Sequence, residues 1–377
     1  MEQNGGVCWQ KQKYAAITLK QGEYKMKKQF AYLVFIGRFQ PFHVGHQEVL
    51  NKALSMAERV IVLVGSSHQP RTIKNPFTFE DRKQMILNSY DFLMLRDQKE
   101  NKPPSIIVEP LQDQRYNDQS WTASVQATVE GIMTRAVGWT DRPLRGGIIG
   151  HEKDASSYYL KMFPQWELVE HSINEEVHAT DMRKLYFESN IKYLSAIVPN
   201  AVYGFLEEFA KKSEFADLVK EQAFITAYKK SWAAAPYPPT FVTCDAVVVQ
   251  SGHVLLIKRK AEPGKGLYAL PGGFVGQEER IEDAMIRELR EETRLKVPAP
   301  ILRGSIKAKE VFDHPGRSLR GRTITQAFYI ELEAGKLPAV KGGDDAAEAK
   351  WMPLSHIREE EMFEDHISML QHFVGKL

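Results

Sequence analysis

The sequence predicts an α/β protein in two parts: an N-terminal doubly wound parallel sheet, then an α/β/α unit on a mixed sheet. Three observations carry this. Short, β-rich apolar runs alternate with helical patterns up to about residue 230, as they do in a parallel sheet with crossover helices. The stretch AAAPYPPT at 233–240 then breaks helix with three prolines and marks a domain boundary. Beyond it, strands pair through tight turns around one central helix. At 377 residues the chain is long for one core and suits two domains of roughly 100–200 residues.

Taken in order, residues 1–25 hold lysines but no apolar stretch of signal-peptide length. They read as a loosely ordered extension, with Met26 a second candidate start. FAYLVFI at 30–36 is a buried strand, followed by GRFQPFHVGH and a helical pattern through Val49, Leu50, Ala53, Leu54 and Ala57. VIVLVG at 60–65, SIIV at 105–108 and GGII at 146–149 are further strands. Helical stretches fall around 121–135 and 155–162. Thr180 and Asp181 can cap a helix through Met182, Leu185 and Phe187, and Pro199 suits the first turn of another. A third amphipathic stretch spans 214–230. After the break, 241–249 and 254–257 are strands joined by a QSGH turn; 281–295 is helical, and TITQAFYIEL at 323–332 is a strand. The expected division is 26–232, a linker at 233–240, and 241–377.

Composition narrows the function. Lys and Arg number 50 against 48 Asp and Glu, a net charge of +2, which argues against a nucleic-acid partner. Cys8 and Cys244 are too few for a disulfide framework, so a reducing cytoplasm fits. No apolar run reaches the roughly 18–20 residues of a membrane span. Assembly into a homo-oligomer is left open.

His43-Val44-Gly45-His46 follows a strand and opens a helix. Backbone N–H groups and the positive helix end favour phosphate there. Both imidazoles can donate to phosphate oxygens, and Arg38 adds a permanent charge. GRFQPFHVGH resembles the signature of the nucleotidylyltransferase superfamily, in its nicotinamide mononucleotide (NMN) adenylyltransferase branch. The resemblance implies ATP as substrate, held by Arg38, His43 and His46. RTIKNPFTFEDR at 71–82 resembles the family's Asn-Pro-Phe segment. LQDQRYNDQSW at 111–121 resembles its nicotinamide-nucleotide segment, with Asn117 and Trp121 as NMN-binding residues; a Trp face can stack on a flat cationic ring. HATDMR at 178–183 resembles its phosphate motif through Thr180 and Arg183, with His178 where serine is usual. GHEKDASSYYLKMFPQW at 150–166 resembles the adenine side, around Lys153 and Asp154.

In the second part, GFVGQEERIEDAMIRELREETRL at 273–295 puts Glu288, Glu291 and Glu292 at i, i+3 and i+4, on one arc of a helix. Ile281, Met285 and Leu289 lie on the adjacent arc and bury it. Clustered carboxylates suit a hard divalent cation, Mg²⁺ or Mn²⁺, and Arg287 can brace Glu291. This segment resembles the Nudix box, with Arg294 where that box has a helix-ending glycine. VFDHPGRSLRGRTITQAFYIEL at 311–332 and GGDDAAEAKW at 342–351 resemble the ADP-ribose-directed Nudix branch, with Ser318-Leu319 in place of Asp-Pro. Glu348 or Asp345 is the candidate base for activating water.

The pair of domains is similar to the bifunctional NMN adenylyltransferase/Nudix hydrolase (ADP-ribose pyrophosphatase) family. That implies a nucleotidylyltransferase fold, then a Nudix fold. It implies catalytic roles for His43, His46 and Arg183 in the first, and for Glu291 and Glu292 in the second. The small-molecule partners implied are ATP, NMN, NAD and ADP-ribose. Two other readings stand beside it: an adenylyltransferase for another acceptor, which YNDQSW disfavours, and a Nudix-type ligand-sensing regulator, in which a damaged metal box would be expected.

Overall fold

The computed structural model describes residues 28–100, 102, 105–137, 144–150, 155–171, 178–188, 190–343 and 345–375; the 1–25 extension and the Lys153-Asp154 pair lie outside them. The first unit runs β1 (Phe30–Gly37), α1 (Val44–Met56), β2 (Ala57–Val64), α2 (Phe79–Asn88), α3 (Asp91–Lys99), β3 (Ile106–Pro110), α4 (Asp118–Val137), β4 (Gly146–Gly150), β5 (Glu167–Glu170), α5 (Ala179–Phe187), α6 (Asn200–Phe209) and α7 (Ser213–Ser231). Its five strands are all parallel, in the order β3-β2-β1-β4-β5. Successive residues of β1 enter opposite faces. Leu33 and Phe35 join a core with Leu50 and Leu206, and Val34 and Ile36 join another with Val125 and Phe163. Burial on both sides explains the unbroken apolar run. The chain moves outward from β1 to β3 and then returns to β1's other side with β4. The loop after β1 therefore lies at the switch point, where such sheets bind ligands.

The second unit runs β6 (Thr240–Gln250), β7 (His253–Arg259), β8 (Tyr268–Ala269), β9 (Gly272–Phe274), α8 (Ile281–Thr293), α9 (Ala299–Gly304), β10 (Ile306–Phe312), β11 (Arg322–Glu331), β12 (Ala346–Pro353) and α10 (His366–Val374). β6 pairs parallel with β11, while the other pairings are antiparallel, so the sheet is mixed. Cys244, Ala246 and Val248 pack on Met285 and Leu289 of α8. Val247 and Val249 face Ile367 and Leu370 of α10. Helices thus cover both faces of the sheet.

Several local expectations change. Ala57 does not extend the α1 pattern; its backbone is extended and it pairs with Phe30 at the start of β2. Residues 155–161 form a 3₁₀ turn. Thr180 and Asp181 sit inside the first turn of α5, with His178 at the cap position, and Pro199 caps α6 from outside it. Strands β5, β10 and β12 and helix α10 were not anticipated. Arg294 adopts the left-handed conformation at φ 53° that a glycine would supply, and α8 forms intact before it.

Arg82, fully buried on α2, holds the strand ends together. It donates to the carbonyls of Arg38 (2.7 Å), Gly65 (2.6 Å) and Ser66 (2.9 Å), and through Nε to Thr78 (3.0 Å). Asp113, just past β3, accepts from the Ser66 N–H and hydroxyl at 2.9 and 2.6 Å. The loops after β1, β2 and β3 are thereby fixed to one another. Between the units, the buried Glu221 of α7 accepts from the N–H of Ile73 at 2.8 Å and of Gly264 at 3.3 Å. Arg82→Met leaves several buried carbonyls without donors and is expected to lower stability by about 3–5 kcal/mol; urea unfolding monitored by circular dichroism measures it.

Candidate active sites

The first site is assembled from the β1–α1 loop outward. A Cβ on Gly37 would stand 2.8 Å from the Phe39 ring, so that position requires glycine. The buried Gln40 side chain pairs with both backbone groups of Phe77, at 2.8 and 3.0 Å, and ties the loop to 71–82. His43 donates its backbone N–H to His46 Nδ1 at 3.3 Å, and the two rings stack at 3.6 Å. Because Nδ1 is an acceptor, the neutral His46 ring carries its proton on Nε2. Burial, and then the neighbouring His43, hold its pKa well below the usual range. At neutral pH His46 is a hydrogen-bond donor and not a cation.

The cations come from elsewhere. Arg183 donates to the Gln40 carbonyl at 2.8 Å and to Thr180 Oγ1 at 3.2 Å. It is packed against the β1–α1 loop, so burial and Arg38 lower its pKa to about 10. Lys74 is lowered to about 8 by burial and by Arg38, Arg115 and Arg183, with Asp113 opposing. These mutual effects place four cations around one spot, which disposes it toward an anion. Beside them is a cavity of about 280 Å³ lined by Arg38, Ser66, Lys74, Trp121, Tyr158 and Tyr159, among others. Trp121 is half-buried, edge-on to Tyr159 and tilted against Phe163. Asn117 caps α4, accepting the Ser120 N–H at 2.9 Å, and lines the adjoining cavity, which shares Asp113, Gln114 and Arg115 with the first. Lys74, Asp113 and Arg115 also line the first cavity; they lie within the 71–82 and 111–121 segments, where no local pattern singles them out.

In the second site Arg287 is the hub. It reaches Glu279 at 2.6 Å, Glu288 at 2.8 Å and Glu291 at 3.0 Å. Its hydrogen bonds hold the Glu279 carboxyl down at about 2. The expected carboxylate cluster therefore has a counter-charge. Glu292 stands apart and buried, accepting the Gly272 N–H at 2.9 Å; burial pushes its pKa up to about 8. Burial also raises Glu288. A Cβ on Gly273 would lie 2.5 Å from the Glu288 carboxyl, so glycine opens the space that this carboxylate occupies. Among the described residues no three His, Cys, Asp or Glu side chains stand ready-grouped around a metal position. The donor chemistry nevertheless fits a hard divalent cation, which would replace Arg287 and backbone N–H groups as partner to these oxygens.

Near Glu292 a small pocket is lined by Asp245, Arg317, Arg320, Glu364 and His366, among others. Asp245 accepts from the Thr325 hydroxyl at 2.5 Å, and His366 takes the Leu270 N–H on Nδ1. Glu348 and Asp345 are exposed and are not among the residues lining this pocket. Asp345 is within electrostatic reach of Arg259, which does line it.

A doubly wound phosphate site followed by a Nudix-type glutamate helix defines a two-unit nucleotide-processing protein. A cytidylyltransferase-like family model matches residues 34–127 and a NUDIX domain model matches 239–373. The chain is 39% identical over 190 residues to a nicotinamide/nicotinic acid mononucleotide adenylyltransferase of Acinetobacter baylyi, covering 50% of this chain and 92% of that protein. It is 40% identical over 116 residues to an ADP-ribose pyrophosphatase of Methanocaldococcus jannaschii, covering 31% of this chain and 63% of that protein. The crystal structure of a bifunctional NMN adenylyltransferase/ADP ribose pyrophosphatase from Francisella tularensis, complexed with AMP and a Mn ion, superposes with a TM-score of 0.80. It is 34% identical, over 92% of this chain and 98% of that one. The chain belongs to the bifunctional NMN adenylyltransferase/ADP-ribose pyrophosphatase family.

The Lys74 shift generates a pH prediction. A lysine with a pKa near 8 is charged below that value and neutral above it. Tripolyphosphate affinity should therefore fall by about tenfold between pH 7 and pH 9, the effect of losing one charge-assisted hydrogen bond. Lys74→Arg should flatten the profile; isothermal titration calorimetry at several pH values measures both.

Proposed function

We propose that the chain joins ATP and NMN into NAD and pyrophosphate in its first unit, and hydrolyses ADP-ribose to AMP and ribose 5-phosphate in its second. The observation that carries the first assignment is the convergence of Arg38, Lys74 and Arg183 beside the Trp121 cavity. In-line attack of the NMN phosphate on the ATP α-phosphorus needs positioning and charge neutralisation, not a protein nucleophile. His43 and His46 donate to the ATP phosphates, and Thr180 and Arg183 hold the departing pyrophosphate. Trp121 takes the nicotinamide ring, with Asn117 setting the start of the helix that carries it.

In the second unit Glu288, Glu291 and Glu292 would hold Mg²⁺ or Mn²⁺, which supplies an activated water and offsets diphosphate charge when bound. Arg320 orients the diphosphate, and Asp345 or Glu348 takes the proton from water. The functional boundaries are 26–232, 233–240 and 241–377. Small nucleotides are the partners, and the cytoplasm is the compartment. No helix among the described residues is long and apolar enough to cross a membrane.

The test follows products from NMN with ATP, and separately from ADP-ribose, in the presence of Mg²⁺. His46→Ala should cut NAD formation by about 10²-fold or more and leave ADP-ribose hydrolysis within about threefold, since separate cores respond independently. Glu292→Gln should do the reverse. Damage to both reactions by either substitution, in protein with a wild-type circular dichroism spectrum, would overturn the assignment. Trp121→Ala should raise KM for NMN more than KM for ATP; equal rises would make it a packing residue only.

A further inference from the structure

The Trp121 cavity is not walled by the first unit alone. His314, from the loop after β10 in the second unit, lines it together with Lys74, Arg115 and Trp121. We infer that His314 is a substrate-binding residue of the adenylyltransferase site, donating from Nε2 to the phosphate of the acceptor mononucleotide. The inference rests on the function proposed above.

The loop is built to hold the ring still. His314 Nδ1 accepts the Gly316 N–H at 3.1 Å, and the His314 carbonyl accepts the Arg317 N–H at 3.0 Å. The first bond fixes the neutral tautomer with its proton on Nε2. Burial, Arg115 and Lys74 lower the pKa of the ring, so it presents a neutral donor among cations. Lys74 crosses between units to donate to the Gly316 carbonyl at 3.2 Å. Arg317 is locked by a buried bidentate pair with Asp365, at 2.9 and 3.0 Å. From the first unit Tyr116 donates to the same Asp365 at 2.6 Å, and its ring stands edge-on to His314. The loop is thus pinned on both sides of the cavity. Lys74 and Arg115 are the two cations that act on the His314 ring, so a phosphate held by them would have that ring as a neighbour, with Trp121 in the same cavity for the nucleotide's ring.

Initial rates of NAD formation by the full-length protein test this. His314→Ala should raise KM for NMN by about tenfold, the loss of one hydrogen bond to a charged group, with KM for ATP within twofold. His314→Gln retains an N–H at similar reach and should restore most of the affinity. An unchanged KM for NMN, an equal rise for both substrates, or no rescue by glutamine would overturn it. Wild-type protein that forms no NAD would instead remove the proposed function on which it rests.

Discussion

The guanidinium of Arg82 organises the first unit. A parallel sheet ends in carbonyls that point out of its carboxyl edge, and the loops that follow have no partners of their own there. One buried cation takes the carbonyls of Arg38, Gly65 and Ser66 at once. Everything that gives the site its shape leans on those three points. Asp113 is fixed through Ser66, Arg38 projects from a fixed backbone, and Gln40 and Arg183 close the β1–α1 loop from the other side. A buried arginine is costly to desolvate. Here its donors go to backbone oxygens that would otherwise be unsatisfied.

The second unit solves a related problem with the opposite sign. Carboxylates are concentrated on one arc of α8, and Arg287 keeps Glu279, Glu288 and Glu291 apart from one another by standing among them. Glu292 is excluded from that arrangement and lies buried against Gly272. Arg287 thereby offsets the repulsion along that arc, and these oxygens are of the donor type that suits a hard divalent cation. The first unit gathers cations at its loop ends, and the second gathers carboxylates along one helix.

The parts of this molecule that are legible in sequence are those that repeat at a short interval. The β1 and β2 runs and the 3.6-residue period of α8 follow from local patterning, as does the cluster of Glu288, Glu291 and Glu292. The left-handed turn at Arg294 preserves what a glycine would have provided. What was not legible depends on the path of the chain through space. Lys74 and Arg115 acquire meaning only when β2 and β3 bring their loops beside Arg38. His314 and Trp121 line one cavity although 193 positions apart in sequence, with no pattern linking them. The motif around Asn117 gives no sign that its side chain also caps α4, because that bond depends on where the helix begins. Strand β12 shows no clean alternation of buried and exposed residues, so its sequence does not mark it as a strand.

Glu221 binds one N–H from each unit, and neither belongs to its own helix neighbourhood. One end of that contact is Ile73, adjacent to Lys74; the other is Gly264, where a Cβ would stand 2.4 Å from the Phe363 ring. The positions of these two loops are therefore coupled. The inward loops are held to a shared template, because a backbone shift on either side removes a partner from the same carboxylate. The chain joins the two units once along its length, between α7 and β6, and this carboxylate ties them a second time through space.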